Sequence, residues 1–250
     1  MSQIPIFDAT NYVNKPPQAT VASDYNVRPA IVPATQQVAD QLSDGTWVVN
    51  GSKLLPYVEQ AAAENALLIF DFEMGDVALN AKRCAQTIRL ARSMNSSIKL
   101  GAYGFSPGLG PAALQAEEYS WVLSEWWKYQ AGCSEVIDLV DVICPSLYST
   151  NNAQTDQQVA ALAITFAACR WPDKLIMPFL SPSVGGNGTV EVTHNVLWNQ
   201  FVLAQDACDG VIWWNANQTW GVDADAWSTL KAFALPGTTW PTPAQRAFLP

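Results

Sequence analysis

Two carboxylates stand two residues apart at the end of an apolar segment. Residues 66–70 are all apolar and lead directly into Asp71 and Glu73. An apolar run of this length, bounded by polar segments, predicts a strand buried on both faces. Side chains at i and i+2 of a strand point to the same side. The pair is therefore expected at the carboxyl end of a buried strand, where the active sites of parallel α/β proteins lie.

Such a pair suits acid–base chemistry. Two carboxylates this close repel each other, so the pKa of one should rise and that group can keep its proton near neutral pH. A protonated carboxyl can protonate the leaving oxygen in glycoside hydrolysis. The structural alternative is that Asp71 caps a turn and Glu73 pairs with an arginine.

Aromatic and polar side chains stand at the ends of other expected strands. Tyr103 ends one of them, Tyr148 the next, and Trp213 with Asn215 a later one. Phenols and indoles beside carboxylates suit the binding of sugar rings, on which aromatic faces can stack.

A regular alternation of strand and helix patterns positions these residues. The expected strands are 66–73, 98–105, 140–148, 174–180 and 210–215. Helical patterns separate them, including one at 112–130. Repeated units predict parallel, adjacent strands with right-handed crossovers. Six or seven units over about 250 residues favour an α/β fold of the (β/α)8 TIM-barrel type.

The amino-terminal part is less regular. A first strand is expected at residues 4–8, but residues 9–50 are rich in loop-forming residues and contain one short apolar piece, residues 30–32. They hold either a degenerate second barrel unit or a lid, and the sequence leaves both open. We expect one domain over residues 1–250, closed by a proline-bearing tail at 236–250.

Composition argues against several classes of partner. The net charge is −9, with 13 Lys and Arg and no basic cluster, so nucleic acid is not expected as a ligand. No run of 18 apolar residues predicts a membrane span, and no secretion signal is visible at the amino terminus. No glycine-rich phosphate-binding loop follows a strand, so no nucleotide cofactor is expected.

The five cysteines are expected to be buried, reduced side chains. Their number is odd, no CxxC pair occurs, and the single histidine, His194, lies near none of them. Neither a metal site nor a disulfide framework is expected. Reduced, buried thiols fit synthesis in the cytoplasm.

Four ordered segments resemble the hyaluronidase family of glycoside hydrolases. They are Asn50-Gly51-Ser52 followed by Leu68-Ile69-Phe70-Asp71-Phe72-Glu73, Leu100-Gly101-Ala102-Tyr103-Gly104-Phe105-Ser106-Pro107, Pro145-Ser146-Leu147-Tyr148, and Asp209-Gly210-Val211-Ile212-Trp213. Together they cover most of residues 50–215.

The resemblance implies a retaining, substrate-assisted mechanism, in which the N-acetyl oxygen of the sugar is the nucleophile. Glu73 would be the general acid/base, with a pKa raised by Asp71 and by partial burial. Asp71 would orient the acetamido group, Tyr103 and Tyr148 would line the subsite, and Trp213 would form the platform under the sugar.

The sequence departs from that family after the carboxylates, where residues 74–76 replace its Trp-Arg-Pro run, and it lacks the basic groove expected for hyaluronan. Another polysaccharide that contains N-acetylhexosamine is therefore an equal candidate.

Two alternative functions stay open. One is an inactive barrel that binds carbohydrate or serves as a virion structural protein, assembled in a larger particle or homo-oligomer. The other is a muramidase-like cell-wall hydrolase.

Overall fold

The computed structural model describes residues 3–73, 76–105, 132–149, 153–186, 190–219, 224–237 and Trp240. The helix expected at 112–130 and most of the tail lie outside these residues. The first elements are β1 (Ile6–Asp8), β2 (Asn11–Val13), α1 (Gln18–Tyr25), β3 (Arg28–Ile31), α2 (Thr35–Val38), β4 (Ala39–Gln41), β5 (Trp47–Val49), α3 (Gly51–Glu64) and β6 (Leu67–Asp71).

The remaining elements continue the alternation of strands and helices. They are α4 (Val77–Met94), β7 (Lys99–Tyr103), α5 (described over residues 132–139), β8 (Val142–Cys144), α6 (Ala153–Arg170), β9 (Leu175–Ile176), β10 (Phe179–Leu180), α7 (His194–Ala207), β11 (Val211–Trp213), β12 (Ala216–Thr219) and α8 (Ala224–Phe233).

Among the described residues, eight parallel strands form the main sheet, in the order β10-β11-β1-β3-β6-β7-β8-β9. β9 and β10 belong to one chain segment that is hydrogen-bonded on both sides. Phe179 N donates to Pro145 O at 2.8 Å, and Ile212 N donates to Pro178 O at 2.8 Å. The sheet therefore curls round into a ring of seven parallel segments. The TIM-barrel prediction and the order of its five later strands are confirmed.

Residues 9–50 contain regular structure, although the sequence left their organisation open. β3 lies between β1 and β6 in the sheet and pairs in parallel with both, and α1 precedes it. This part of the chain thus supplies a barrel unit. The antiparallel hairpin β4–β5 follows, and β2 pairs with β12 outside the barrel.

Both faces of the barrel strands are buried. On β6, Leu67 and Ile69 pack in the apolar interior of the barrel. Leu68 and Phe70 pack in the outer core between the sheet and the helices. This alternation follows from the two-residue period of a strand, and it directs the side chain of Asp71 towards the interior.

Capping residues fix the helices on either side of β6. Asn50 Oδ1 accepts a hydrogen bond from Ser52 N at 2.9 Å at the start of α3, and Asn65 ends α3 in the left-handed conformation. Asp76 Oδ1 accepts a hydrogen bond from Leu79 N at 3.0 Å at the start of α4. Such caps satisfy backbone groups that a helix terminus leaves unpaired. Asp76, the residue that caps α4, is the third residue after Glu73.

Carboxylates tie strands together at the amino-terminal end of the barrel. Asp209 Oδ2, in the turn before β11, accepts a hydrogen bond from Ile176 N of β9 at 2.8 Å. Asp141 Oδ2, just before β8, accepts one from Leu100 N of β7 at 2.9 Å. Each carboxylate satisfies a backbone donor of the adjacent strand.

We expect Asp209→Ala to lower the free energy of unfolding by about 1–3 kcal/mol, because it leaves the buried Ile176 N–H without its acceptor. Asp209→Asn keeps an acceptor oxygen and should lose less. Urea denaturation of both variants checks this. Equal losses would show that the hydrogen bond to Ile176 is not the source of the stability.

A tryptophan from the tail lies at the same end of the barrel. Trp240 stacks on Phe7, with ring centroids 5.1 Å apart, and its Nε1 donates to Asn65 Oδ1 at 2.9 Å. Asn65 immediately precedes the strand segment that enters the barrel, so Trp240 lies opposite the carboxyl end where Asp71 stands.

All five cysteines carry free thiols, and four of them are buried. In the described part of the chain, no helix has both the length and the apolar character needed to cross a membrane.

Candidate active site

Asp71 lies at the carboxyl end of β6 and faces the barrel interior. Its backbone N donates to Pro33 O at 3.3 Å, and its Oδ1 is buried without a hydrogen-bond partner among the described residues. Burial, followed by the nearby charge of Glu73, raises the pKa of Asp71 from 3.8 to about 7. A buried carboxyl without a donor favours its neutral form.

Glu73 stands beyond the strand, on the same side as Asp71. Phe72 between them is buried in the outer core, whereas Glu73 is exposed. Partial desolvation raises the pKa of Glu73. We expected Asp71 to contribute to that rise, but the repulsion between the two carboxylates instead contributes to the raised pKa of Asp71. Asp71 is the deeper group and is harder to ionise.

Two tyrosines complete the group around the carboxylates. Tyr103 is the partner of Asp71 in the register of β6 and β7, and its ring centroid lies 6.3 Å from that of Tyr148. The side chains of Tyr148 and Ser146 are hydrogen-bonded to that of Tyr103. Burial is the main cause that raises the pKa of both phenols, and the charge of Glu73 adds to it. Both phenols are therefore neutral near pH 7.

The structure does not place Trp213 in this group. Trp213 is fully buried and packs against Phe201, at 5.7 Å between ring centroids. It lies in the outer core. Trp214 instead stacks on Tyr148, at 5.6 Å and 28°. Ile212 packs in the barrel interior, so strand alternation sends Trp213 outwards and Trp214 to the mouth.

Asn215 is likewise fully buried, contrary to the expectation that it contacts substrate. Its Oδ1 accepts a hydrogen bond from Ser183 Oγ at 3.3 Å, and Ser181 Oγ lies 3.2 Å from Ser183 Oγ. Asn215 therefore belongs to a buried polar cluster that holds the loop after β10 against the loop after β11.

Gly186 in that loop is a residue that the sequence interpretation missed. Its φ is +81°, and a Cβ atom at this position would lie 2.6 Å from two ring carbons of Tyr148. Gly185 N donates to Ser149 O at 3.0 Å. The loop backbone thus presses against the ring of Tyr148, and only glycine allows that approach.

We expect Gly186→Ala to displace Tyr148 and to lower the free energy of unfolding by about 2–4 kcal/mol, from backbone strain plus overpacking. Gly45→Ala is the matched control, because Gly45 has a φ of +84° and open space around its Cα. It should lose only about 1–2 kcal/mol. Urea denaturation and near-ultraviolet circular dichroism measure both effects. Equal losses would mean that the Tyr148 ring yields without cost.

Within the described ranges, no group of three His, Cys, Asp or Glu residues lies close enough to hold a metal ion. The described side chains at the mouth supply acid–base groups, hydrogen-bonding groups and one aromatic face. These are two carboxyls of raised pKa, two neutral phenols and the indole of Trp214.

Comparison with solved structures finds proteins of similar fold. Bee venom hyaluronidase superposes with a TM-score of 0.64 at 12% identity, over 92% of this chain and 100% of that chain. Its complex with a hyaluronic acid tetramer gives 0.58 at 12% identity, over 93% and 100%. A modular endo-β-1,4-mannanase from Cellulomonas fimi gives 0.55 at 11% identity, over 98% and 75%.

No family model matches the sequence, and no curated protein does. At 11–12% identity the similarity concerns the fold alone. The chain has a TIM-barrel fold of the kind found in glycoside hydrolases.

Proposed function

We propose that this barrel is a retaining glycoside hydrolase that cleaves a polysaccharide containing N-acetylhexosamine by a substrate-assisted mechanism. The observation that carries the proposal is the arrangement at the mouth: an exposed Glu73 with a raised pKa stands beside the more buried Asp71 and two hydrogen-bonded tyrosines. Carboxyls of unequal environment on one strand end are typical of paired acid–base sites.

Glu73 is the proton donor in this mechanism. It is exposed, so it can reach a glycosidic oxygen, and its raised pKa keeps a proton available. The acetamido oxygen of the sugar attacks the anomeric carbon, the glycosidic C–O bond breaks, and the proton of Glu73 passes to the leaving oxygen. Glu73 then accepts a proton from the water that opens the cyclic intermediate, which restores the acid.

Asp71 acts on the acetamido group. Its Oδ1 is buried and has no hydrogen-bond partner among the described residues, so it is available to accept a hydrogen bond from the acetamido N–H. This interaction orients the carbonyl oxygen of the substrate and supports the positive charge that develops on the acetamido group. The phenols of Tyr103 and Tyr148 offer further hydrogen bonds, because both stay neutral.

Trp214 replaces Trp213 as the proposed platform for the sugar. Trp214 is half-buried beside Tyr148, whereas Trp213 is inaccessible. A sugar ring stacked on the exposed part of Trp214 would bury apolar C–H surface against the indole.

The mouth favours activity over the inactive alternative. A mouth plugged by the tail or by residues 9–50 would favour that alternative. The described tail residue Trp240 contacts Phe7 and Asn65 at the opposite end, and Glu73 remains exposed.

A reducing-sugar assay over a glycan panel that includes chitin oligomers, hyaluronan and peptidoglycan tests the proposal. Cleavage of peptidoglycan alone would favour a muramidase-like enzyme. Binding without any cleavage would favour the inactive barrel.

A further inference from the structure

A buried arginine lies at the amino-terminal end of the barrel. Arg28 is the first residue of β3 and pairs with Phe7 in the register of β1 and β3. Ala30 and Val32, which share its side of the chain, pack against the apolar interior of the barrel. The two-residue period of a strand therefore directs Arg28 into the same interior, at the opposite end of the strands from Asp71.

The guanidinium of Arg28 is buried with unused hydrogen-bond donors. The residue is 6% exposed, and its Nε and Nη1 atoms are buried without a hydrogen-bond partner. None of the ion pairs among the described residues includes it. Burial lowers the pKa of Arg28 from its ordinary value, but a guanidinium keeps its charge near neutral pH.

Two carboxylates at this end of the barrel are engaged elsewhere. Asp141 Oδ2 accepts a hydrogen bond from Leu100 N and pairs with Arg92. Asp209 Oδ2 accepts a hydrogen bond from Ile176 N. A buried charge is costly unless an opposite charge and hydrogen bonds compensate it, so the position of Arg28 indicates that a bound group supplies this compensation.

Aromatic rings border the guanidinium. Its Cζ lies 5.5 Å from the centroid of the Phe7 ring, and Trp240 stacks on Phe7 at 5.1 Å and 21°. The face of a ring attracts a cation, but it gives Nε and Nη1 no acceptor oxygen. The surroundings of Arg28 are thus apolar, with donors that still require an acceptor.

We propose that Arg28 anchors a separate binding site, which holds the carboxylate of a small monovalent ligand beside Phe7 and Trp240. One guanidinium balances one negative charge, and its donors match the two oxygens of a carboxylate. A dianion such as phosphate would retain an uncompensated charge in a buried site. The aromatic rings suit an apolar group attached to the carboxylate. The site lies away from Glu73 and does not depend on the proposed hydrolase activity.

The test measures unfolding in urea at pH 8, with acetate or phosphate replacing chloride at constant ionic strength. A ligand that binds only the folded state raises the folding equilibrium constant as its concentration rises. For the wild type we expect a rise of about fivefold at about 100 mM acetate, and a free energy that follows the logarithm of the acetate concentration beyond that. Phosphate should act equally on the wild type and on variants of Arg28, as a general effect of an excluded salt.

Three variants isolate the role of Arg28. Arg28→Met removes the charge and keeps an unbranched side chain that can contact Phe7, so its response to acetate should be less than about twofold. In chloride alone it should be at least as stable as the wild type, because it no longer buries an unpaired charge. Arg28→Lys retains the charge without the planar set of donors and should lose most of the response. Arg92→Met is the control: it makes the same change in charge at the same end of the barrel, where Arg92 already pairs with Asp141, and should keep the full response.

Equal acetate responses of the wild type and Arg28→Met would overturn the inference, since a general anion effect would then explain both. A loss of more than about tenfold in the folding constant of Arg28→Met in chloride would also overturn it, because Arg28 would then have a partner in the ligand-free protein. A wild-type free energy that rises in proportion to acetate concentration would contradict binding without recourse to any variant. An Arg28-dependent response to phosphate larger than that to acetate would refute the choice of a monovalent carboxylate.

Discussion

Glu73→Gln is expected to lower kcat on an N-acetylhexosamine polymer by about a thousandfold, within the usual range for removal of a general acid. The amide has the shape of the carboxyl but cannot deliver a proton to the leaving oxygen. KM should change little, because stacking on Trp214 and hydrogen bonds to the tyrosines do not depend on that proton. Steady-state kinetics with a reducing-sugar readout measures both constants.

Trp214→Ala is the complementary variant. It should raise KM severalfold by removing the stacking surface, which is worth about 1 kcal/mol, and leave most of kcat. Because Glu73 is exposed, Glu73→Gln should unfold at the same urea concentration as the wild type. Equal, non-zero turnover by Glu73→Gln and wild type would refute the role of Glu73 as proton donor.

Asp71→Asn is expected to stabilise the protein at pH 8 while it impairs catalysis. Burial and Glu73 raise the pKa of Asp71 from 3.8 to about 7, so the folded state resists an ionisation that the unfolded chain undergoes near 3.8. The wild type therefore loses stability as the pH rises from about 4 to about 7, and the loss is complete above pH 7.

The asparagine variant lacks this loss. The pKa difference sets an upper limit of about 4 kcal/mol. Solvent at the half-buried carboxyl reduces the effect, so we expect a gain of about 2 kcal/mol at pH 8 and almost none at pH 4. Urea denaturation at the two pH values measures it. Asp76→Asn, which alters an exposed carboxyl, is the control and should show no such gain. A gain that is the same at both pH values would rule out ionisation of Asp71 as its cause.

Much of the barrel could be predicted from hydrophobic patterns. The apolar run that ends at Asp71 is uniform enough to indicate a doubly buried strand, and the alternation with helices indicates parallel pairing. The spacing of two residues predicted that Asp71 and Glu73 lie on one side of the strand. The alternation of side chains around Phe72 in the structure agrees with that prediction. The amino-terminal unit was harder to recognise, because β3 is only four residues long and begins with Arg28-Pro29.

The orientation of β11 was not available from its sequence. Val211, Ile212, Trp213 and Trp214 are all apolar, so no polar residue marks which face is inside. From the sequence we expected Trp213 as the platform and, by the same alternation, Asn215 beside it. Packing of Ile212 in the barrel interior reverses both assignments.

The sequence by itself determined which residues meet, because the carboxyl ends of parallel strands share one edge of the sheet. Asp71, Glu73, Tyr103 and Tyr148 come together in this way. Only the tertiary structure decided how their environments differ. The pKa of Asp71 depends on its depth in the barrel, and the position of Tyr148 depends on Gly186, 38 residues further along the chain. Burial and close approach arise from contacts between distant segments, and a local pattern of residue types does not encode them.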